Sequence, residues 1–459
     1  MTPAAARVRP GRERTDTAVV LFTRDLRLHD HPALSAACSS ARTVVPLFVV
    51  DPSIAGLPVA SANRLAFLVE SLADLRASLR SRGSDLYVRR GDVVNEVMRV
   101  VQLTGASTVM ASEDVSRAAR GRQEGLERAC RRQRCRFELF PGVTVVPPGD
   151  VVPAGKDHYA VFTPYWNRWR QVPRRTTAPL PRRIDGPRGL AAGRVPAASA
   201  LTSGPVSPGR PRGGESVART RASAFVRRSL AEYGAAHDDM AGDRTSRLSA
   251  YLHFGCLSPL ELAQRSAEHE PFVRQLCWRD FHTQVLAAFP GLPTRDYRAR
   301  GRRWRRDGAG LDAWRAGRTG VPIVDAAMRQ LLDEGFIHNR ARMLAASFLV
   351  KELGIDWRVG ARHFLDWLVD ADVANNSGNW QWIAGTGNDT RPNRRFNLTR
   401  QARRHDPAGA YVRRYVPELA DIAGAAVHEP WGLPPARRAA LAYPDPIGGV
   451  PGAARRGMQ

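Results

Sequence analysis

The sequence predicts two domains in tandem, an α/β domain with a doubly wound parallel sheet followed by an all-α domain. Two observations predict it. From residue 18 to about 140, short β-branched runs alternate with longer helical patterns, the mark of βαβ units and hence of a parallel sheet. Beyond residue 215 only helical periodicity recurs, with Gly or Pro at many boundaries, so no second sheet is expected.

Taken in order, residues 1–16 are Arg-, Ala- and Pro-rich without a hydrophobic signal core and read as a disordered lead-in. In the α/β domain, 17–150, the strand runs are 19–22, 43–50, 85–89, 107–111 and 136–140, with helical segments such as 61–82 and 115–132 between them. Sheets of this kind bind ligands at the carboxyl ends of their strands. The first strand is followed by Thr23-Arg24-Asp25-Leu26-Arg27-Leu28-His29-Asp30, not by a glycine-rich dinucleotide fingerprint or a P-loop, so a dehydrogenase or an NTPase is disfavoured. Residues 151–214 form the connection, and from about 173 onward they are too rich in Pro, Gly, Arg and Ser for regular structure. The helical domain, 215–436, carries patterns at 218–235, 259–268, 271–288, 324–334, 337–351 and 360–369, and 437–459 is a short tail.

Length and charge bound the function. A chain of 459 residues can bury a large core, and its formal net charge of +25 is carried almost wholly by Arg, the planar fork suited to phosphate. A polyanionic partner accounts for this excess, and so does a generally Arg-rich composition. Five cysteines without CxxC or Cys/His ligand spacing indicate neither a disulfide framework nor a metal site. No apolar run reaches membrane-spanning length. The expectation is a monomeric cytoplasmic protein.

The densest chemistry lies at 366–382, Asp-Trp-Leu-Val-Asp-Ala-Asp-Val-Ala-Asn-Asn-Ser-Gly-Asn-Trp-Gln-Trp. Carboxylates and amides among apolar residues need partners if buried, and a large polar heterocycle would supply them. The competing reading makes Asn-Asn and Ser-Gly a helix C-cap and the indoles plain core. Upstream, Arg244-Thr245-Ser246-Arg247-Leu248-Ser249 presents hydroxyls and guanidinium groups as an anion site or as a helix cap. Gln275, Trp278 and Arg279 fall within one helical turn, an amide and an indole suited to a nucleobase, or a buried Trp beside a solvated Arg. At 337–343, Ile-His-Asn-Arg-Ala-Arg-Met interrupts an apolar helix with an amide and two Arg, one able to pair with Asp370 or Asp372.

Read together and in order, Thr23 to Asp30, Val161 to Trp166, Thr245 to Ser249, Trp278 to Phe281, Gly320 to Leu331, His338 to Arg340 and Asn376 to Trp382 resemble the photolyase/cryptochrome family. The likeness is closest to class I cyclobutane pyrimidine dimer photolyases of the actinobacterial kind. It implies an N-terminal antenna domain and a helical domain holding a U-shaped FAD. A reduced flavin there absorbs blue light, passes an electron to a flipped-out dimer in damaged DNA and recovers it after the ring splits.

On this chain the resemblance places Tyr233, Thr245, Ser246, Arg247, Leu248 and Ser249 at the flavin phosphates and ribityl chain. Asp370, Ala371 and Asp372 lie near the isoalloxazine, Arg342 pairs with Asp370, and Asn376 faces flavin N5. Trp380, Trp357 and Trp304 take the positions of the electron-transfer chain. Gln275, Trp278, Arg279, His282, Asn339, Arg340, Met343, Trp382 and Gln401 are turned to the DNA and its lesion. Asp114 partly matches a pattern for 8-hydroxy-5-deazaflavin as antenna, methenyltetrahydrofolate being the alternative. Three departures stand out. Gln275 replaces a frequent Glu, His237 a frequent Arg, and 392–398 is irregular, so neither Arg394 nor Arg395 is assigned a role. Gln275 leaves a blue-light receptor or a (6-4) photolyase as alternatives, whereas His338-Asn339-Arg340 lacks the paired histidines of the latter.

Overall fold

A computed structural model of the chain describes residues 15–52, 61–391 and 394–448. Five strands, β1 (Thr15–Leu21), β2 (Ala41–Val50), β3 (Tyr87–Arg90), β4 (Thr108–Ser112) and β5 (Arg136–Phe140), form one sheet in the order β3-β2-β1-β4-β5. Every pairing is parallel, with Val19 opposite Val45 on one side and Val109 on the other. Both sides of the sheet are covered. Ala18, Val20 and Phe22 pack with helices α1 (Pro32–Ser40) and α2 (Ala62–Arg80), while Val19 and Leu21 pack with α3 (Val93–Thr104) and α4 (Arg117–Arg132). This two-sided burial is why the central strands β1, β2 and β4 read as predominantly apolar runs rather than alternating ones. Caps set the helix starts: Ser61, Asp92 and Ser116 each accept the backbone N–H three residues on.

The connection contains one helix, Phe162–Trp169, and then runs irregularly apart from a single turn at Ala198–Ala200. It is nevertheless packed. Val44 N–H donates to Asp185 O at 2.8 Å and Val88 N–H to Ala192 O at 2.7 Å, so the chain covers the start of β2 that β3 leaves unpaired and the outer edge of β3 itself.

The main helices of the second domain are α5 (Glu270–Ala288), α6 (Pro322–Glu334), α7 (Asn339–Ser347), α8 (Trp357–Trp367) and α9 (Val373–Ala384), of which all but α6 line the site. The helix expected to run through 351 stops at Ser347 and continues as a π-helical turn, Phe348–Glu352. The core of the α/β domain is continuous with residues around Tyr251, Leu260 and Phe281, whereas a second core gathers Trp314, Trp357 and Trp380. Buried carboxylates tie the domains together. Glu215 accepts from Leu28 N–H and His29 N–H at 2.7 and 3.0 Å, and Asp280 from Val145 N–H, Val146 N–H and Trp169 Nε1 at 3.0 Å each.

Of the expected lead-in, residues 1–14 lie outside the described residues, and β1 begins at Thr15. The expected tail is described to residue 448, where Ile447 N–H donates to Thr319 O at 2.9 Å and the Tyr443 hydroxyl to Asp325. That stretch therefore packs on the helical domain. No described helix is long and apolar enough to cross a membrane.

Candidate functional site

A cavity of about 430 Å³ opens in the helical domain between α5, α7 and α9, within the range of cofactor and ligand sites. Its polar wall is made where the chain leaves α8. Leu368 turns extended, Val369 N–H donates to Gly335 O at 2.9 Å, and Asp372 caps α9 by accepting Asn375 N–H at 2.9 Å. The five-residue link thus presents two carboxylates to the cavity. Burial demands a partner for each. Arg342 Nη2 lies 3.0 and 2.8 Å from the two oxygens of Asp370, with its Nε held by Ile337 O at 2.8 Å. Asp372 receives Arg24 Nη2 at 2.6 Å. Against burial, which raises it, Arg24 and His253 hold the Asp372 carboxyl well below the usual carboxylate range.

Asn375, Asn376, Ser377 and Gly378 lie inside α9, not at a C-cap, and the cap that terminates the helix is Gly385 in the left-handed conformation. Asn376 donates through Nδ2 to Ala361 O at 3.0 Å, which leaves its amide oxygen for a ligand. Further along, Thr245 Oγ1 is buried in the cavity wall and has no hydrogen-bond partner among the described residues. An acceptor or donor brought by a ligand would satisfy it. Arg247, expected at a phosphate, lines the cavity, where it is engaged by Asp243 at 2.6 Å and Glu334 at 2.7 Å and lies 4.5 Å over the Phe336 ring.

The indoles divide by position. Trp278 stacks on Phe162 with centroids 3.6 Å apart and planes 3° from parallel, a rigid platform with one face already covered. Trp382 lines the same cavity and carries Arg394 at 5.1 Å over its ring. Trp380 is buried against Gly360 and Phe364. Gln275, Arg279, His282, Asn339, Met343, Tyr233, Ser246, Leu248, Ser249 and Ala371 also line the cavity. His282 is buried beside Gly378, and burial pushes its imidazole down to about 4.

The remaining expected site residues lie outside the cavity. Arg340 pairs with Asp238 at 2.6 Å. Gln401 is half-buried on the helix Leu398–His405. Trp357 is fully buried and donates Nε1–H to Asp296 at 2.9 Å, and Trp304 is half-buried against the second core. The Asp114 carboxylate is taken by Arg24 at 3.1 Å and Ser116 N–H at 3.1 Å. Sequence reasoning missed Arg24, His253, Phe162 and Arg394. Arg24 and Phe162 had a local signal, since they stood in the segments Thr23 to Asp30 and Val161 to Trp166, and Arg394 lay in the irregular stretch 392–398, but none was given a role.

The chain matches the family described as DNA photolyase over residues 18–184 and that described as the FAD binding domain of DNA photolyase over residues 272–459. It is 52% identical to a deoxyribodipyrimidine photo-lyase of Streptomyces griseus, over 94% of this chain and 96% of that protein. The chain belongs to the photolyase/cryptochrome family. Its membership does not separate repair from photoreception. A cryptochrome DASH of Natronomonas pharaonis is 36% identical over 94% of this chain and 98% of that protein. A solved bacterial class III photolyase from Agrobacterium tumefaciens superposes with a TM-score of 0.89 at 31% identity, covering 96% of each chain. The helical half is accordingly the FAD-binding domain of this family, and the unpaired Thr245 hydroxyl, the two carboxylates and the Asn376 amide suit a flavin's many donors and acceptors.

Proposed function

We propose that the protein is a deoxyribodipyrimidine photo-lyase of class I, which repairs cyclobutane pyrimidine dimers in DNA under blue light. Reduced FAD, when bound, supplies the light absorption and the electron. The observation that carries the reading is one cavity in which a hydrogen-bonding wall, Asp370, Asp372, Arg342 and Asn376, faces the same space as the indoles Trp278 and Trp382. An enzyme that acts on a base takes it out of the stack, at a cost of a few kcal/mol that is smaller at a damaged site. The Phe162-backed Trp278 face and the Trp382 face return about 1–3 kcal/mol per stacked base. Gln275 and Asn339 offer amides to the base edges. Trp380, Trp357 and Trp304 carry electrons inward from the surface in this reading, with the Asp296 carboxylate against Trp357 Nε1–H favouring positive charge there.

A (6-4) photolyase needs an imidazole ready to protonate its lesion. His338 instead caps α7, accepting Arg340 N–H at 3.2 Å, and burial pushes it down to about 4. The protein acts as a monomer on nucleoid DNA in this proposal, with an antenna of 8-hydroxy-5-deazaflavin or methenyltetrahydrofolate in the N-terminal domain near Asp114, which the absorption spectrum of the native protein distinguishes. Purified protein illuminated with oligonucleotides that contain a cyclobutane thymine dimer should remove the dimer. Loss of (6-4) lesions only, or of neither lesion, refutes the proposal, and the second result favours the receptor reading.

A further inference from the structure

The segment from Thr23 to Asp30 follows β1 where other doubly wound domains place a nucleotide-binding loop, and the function above gives it no task. It is fastened into the helical domain. Leu26 N–H donates to Phe254 O at 3.2 Å and Arg27 Nη1 to Gly255 O at 3.0 Å. Gly255, with φ of +68°, is approached so closely that a Cβ there would lie 2.0 Å from Arg24 O. From this peg the Arg24 side chain reaches both domains. Its Nη1 meets Asp114, beyond the end of β4 at the point where the strand order reverses, its Nε donates to His253 O at 3.1 Å, and its Nη2 meets Asp372 Oδ2. The other Asp372 oxygen accepts Asn375 N–H and Asn375 Nδ2 at 2.9 and 2.8 Å. Each oxygen of that carboxylate is thus fixed from a different domain.

We propose that Arg24 is a positioning residue that holds Asp372 as an oriented carboxylate in the flavin cavity, so that the α/β domain completes the cofactor site of the helical domain. The proposal rests on the reading of this cavity as the FAD site. A carboxylate buried without a cation in contact takes up a proton instead. The charged and titratable groups facing Asp372 are Arg24, His253, Arg279, Asp114 and His282. Burial pushes both imidazoles down. The Arg279 guanidinium keeps its charge and favours the carboxylate from a distance, with its N–H groups on Val143 O and Leu252 O. Asp114 opposes rather than helps. Arg24 is the cation in hydrogen-bond contact with the carboxylate.

The test is titration of the apoprotein with FAD between pH 5.5 and 8, read by flavin fluorescence and visible spectrum. Wild type should bind with a Kd that changes less than about twofold across this range, whereas Arg24→Gln should weaken at least about tenfold as pH falls, the effect of one pKa unit. The double variant Arg24→Gln/Asp372→Asn should lose that pH dependence, and Arg24→Lys should restore the flat profile. A flat Arg24→Gln profile overturns the proposal. So does pH dependence that persists in the double variant, or affinity that rises on acidification, because protonated His253 would then hold the carboxylate. Should Arg24→Gln not fold, Asp372→Asn decides, since wild-type affinity at pH 8 refutes any role for the carboxylate. Wild type that binds no FAD removes the site reading and the proposal with it.

Discussion

Gly360→Ala separates the two effects of a helix glycine, because at this position they oppose each other. Gly360 lies within α8 and is buried against α9. Alanine in a helix interior is favoured over glycine by about 1 kcal/mol. A Cβ at Gly360 would, however, lie 2.2 Å from Trp380 Cη2 and 2.5 Å from Leu349 Cδ2. Neither neighbour can swing aside, since Trp380 is 2% and Leu349 0% exposed, and overpacking of this kind costs about 1–3 kcal/mol. The clash wins, and Gly360→Ala should destabilise by up to about 2 kcal/mol. Gly121, exposed inside α4 with nothing within 4 Å of its Cβ position, is the control. Gly121→Ala should stabilise by about 0.5–1 kcal/mol. Urea unfolding followed by far-UV circular dichroism reads both as opposite shifts in midpoint at unchanged slope. Two shifts of the same sign would refute the packing described around Trp380.

Trp380→Phe should slow photoreduction of oxidised flavin while repair by already reduced enzyme persists, and equal loss of both in single-turnover measurements would remove its place in the electron chain. Trp278→Ala should weaken binding of dimer-containing oligonucleotides roughly five- to hundredfold, as expected for about 1–3 kcal/mol of stacking, with little change for undamaged duplex in the same gel-shift assay. Burial raises the Asp280 carboxyl to about 6, against Arg279 and the donors Val146, Trp169 and Val145. A raised folded-state value means that the contribution of the protonated group is full below about pH 4 and is lost as pH rises through 6. Asp280→Asn should therefore flatten the dependence of melting temperature on pH between 4 and 7, and an unchanged slope would assign that dependence elsewhere.

The sheet was legible in the sequence because its central strands β1, β2 and β4 are buried on both faces and predominantly apolar, which leaves few alternatives between turns. Helix starts followed the same logic, with Ser61 and Ser116 supplying caps visible in the sequence. The helix α9 was not legible as such. Asn375, Asn376, Ser377 and Gly378 have the composition of a helix end, yet Asp372 caps the helix before them. Asn375 is satisfied by Asp372, Asn376 by Ala361 O, and Gly378 lets His282 approach. Propensity was overridden by tertiary partners that no local pattern encodes. Arg247 shows the same limit from the other side. Its local pattern suggests anion binding but does not reveal Glu334, which together with Asp243 engages the guanidinium in the cavity wall.

Buried partners also change what the net charge means. Arg27 is 1% exposed and spends its guanidinium on the carbonyls of His29, Asp30, Gly142 and Gly255. Arg64 reaches Leu368 O, Arg279 reaches Val143 O, and Arg24 bridges two carboxylates. These arginines act as interdomain and loop fasteners, a task for which five donors in a rigid fork suit them better than lysine. An excess of +25 therefore overstates the surface offered to a polyanion. The charge available to phosphate is that of exposed groups such as Arg394 over Trp382 at the cavity, and the salt dependence of DNA binding should count these contacts and not the total.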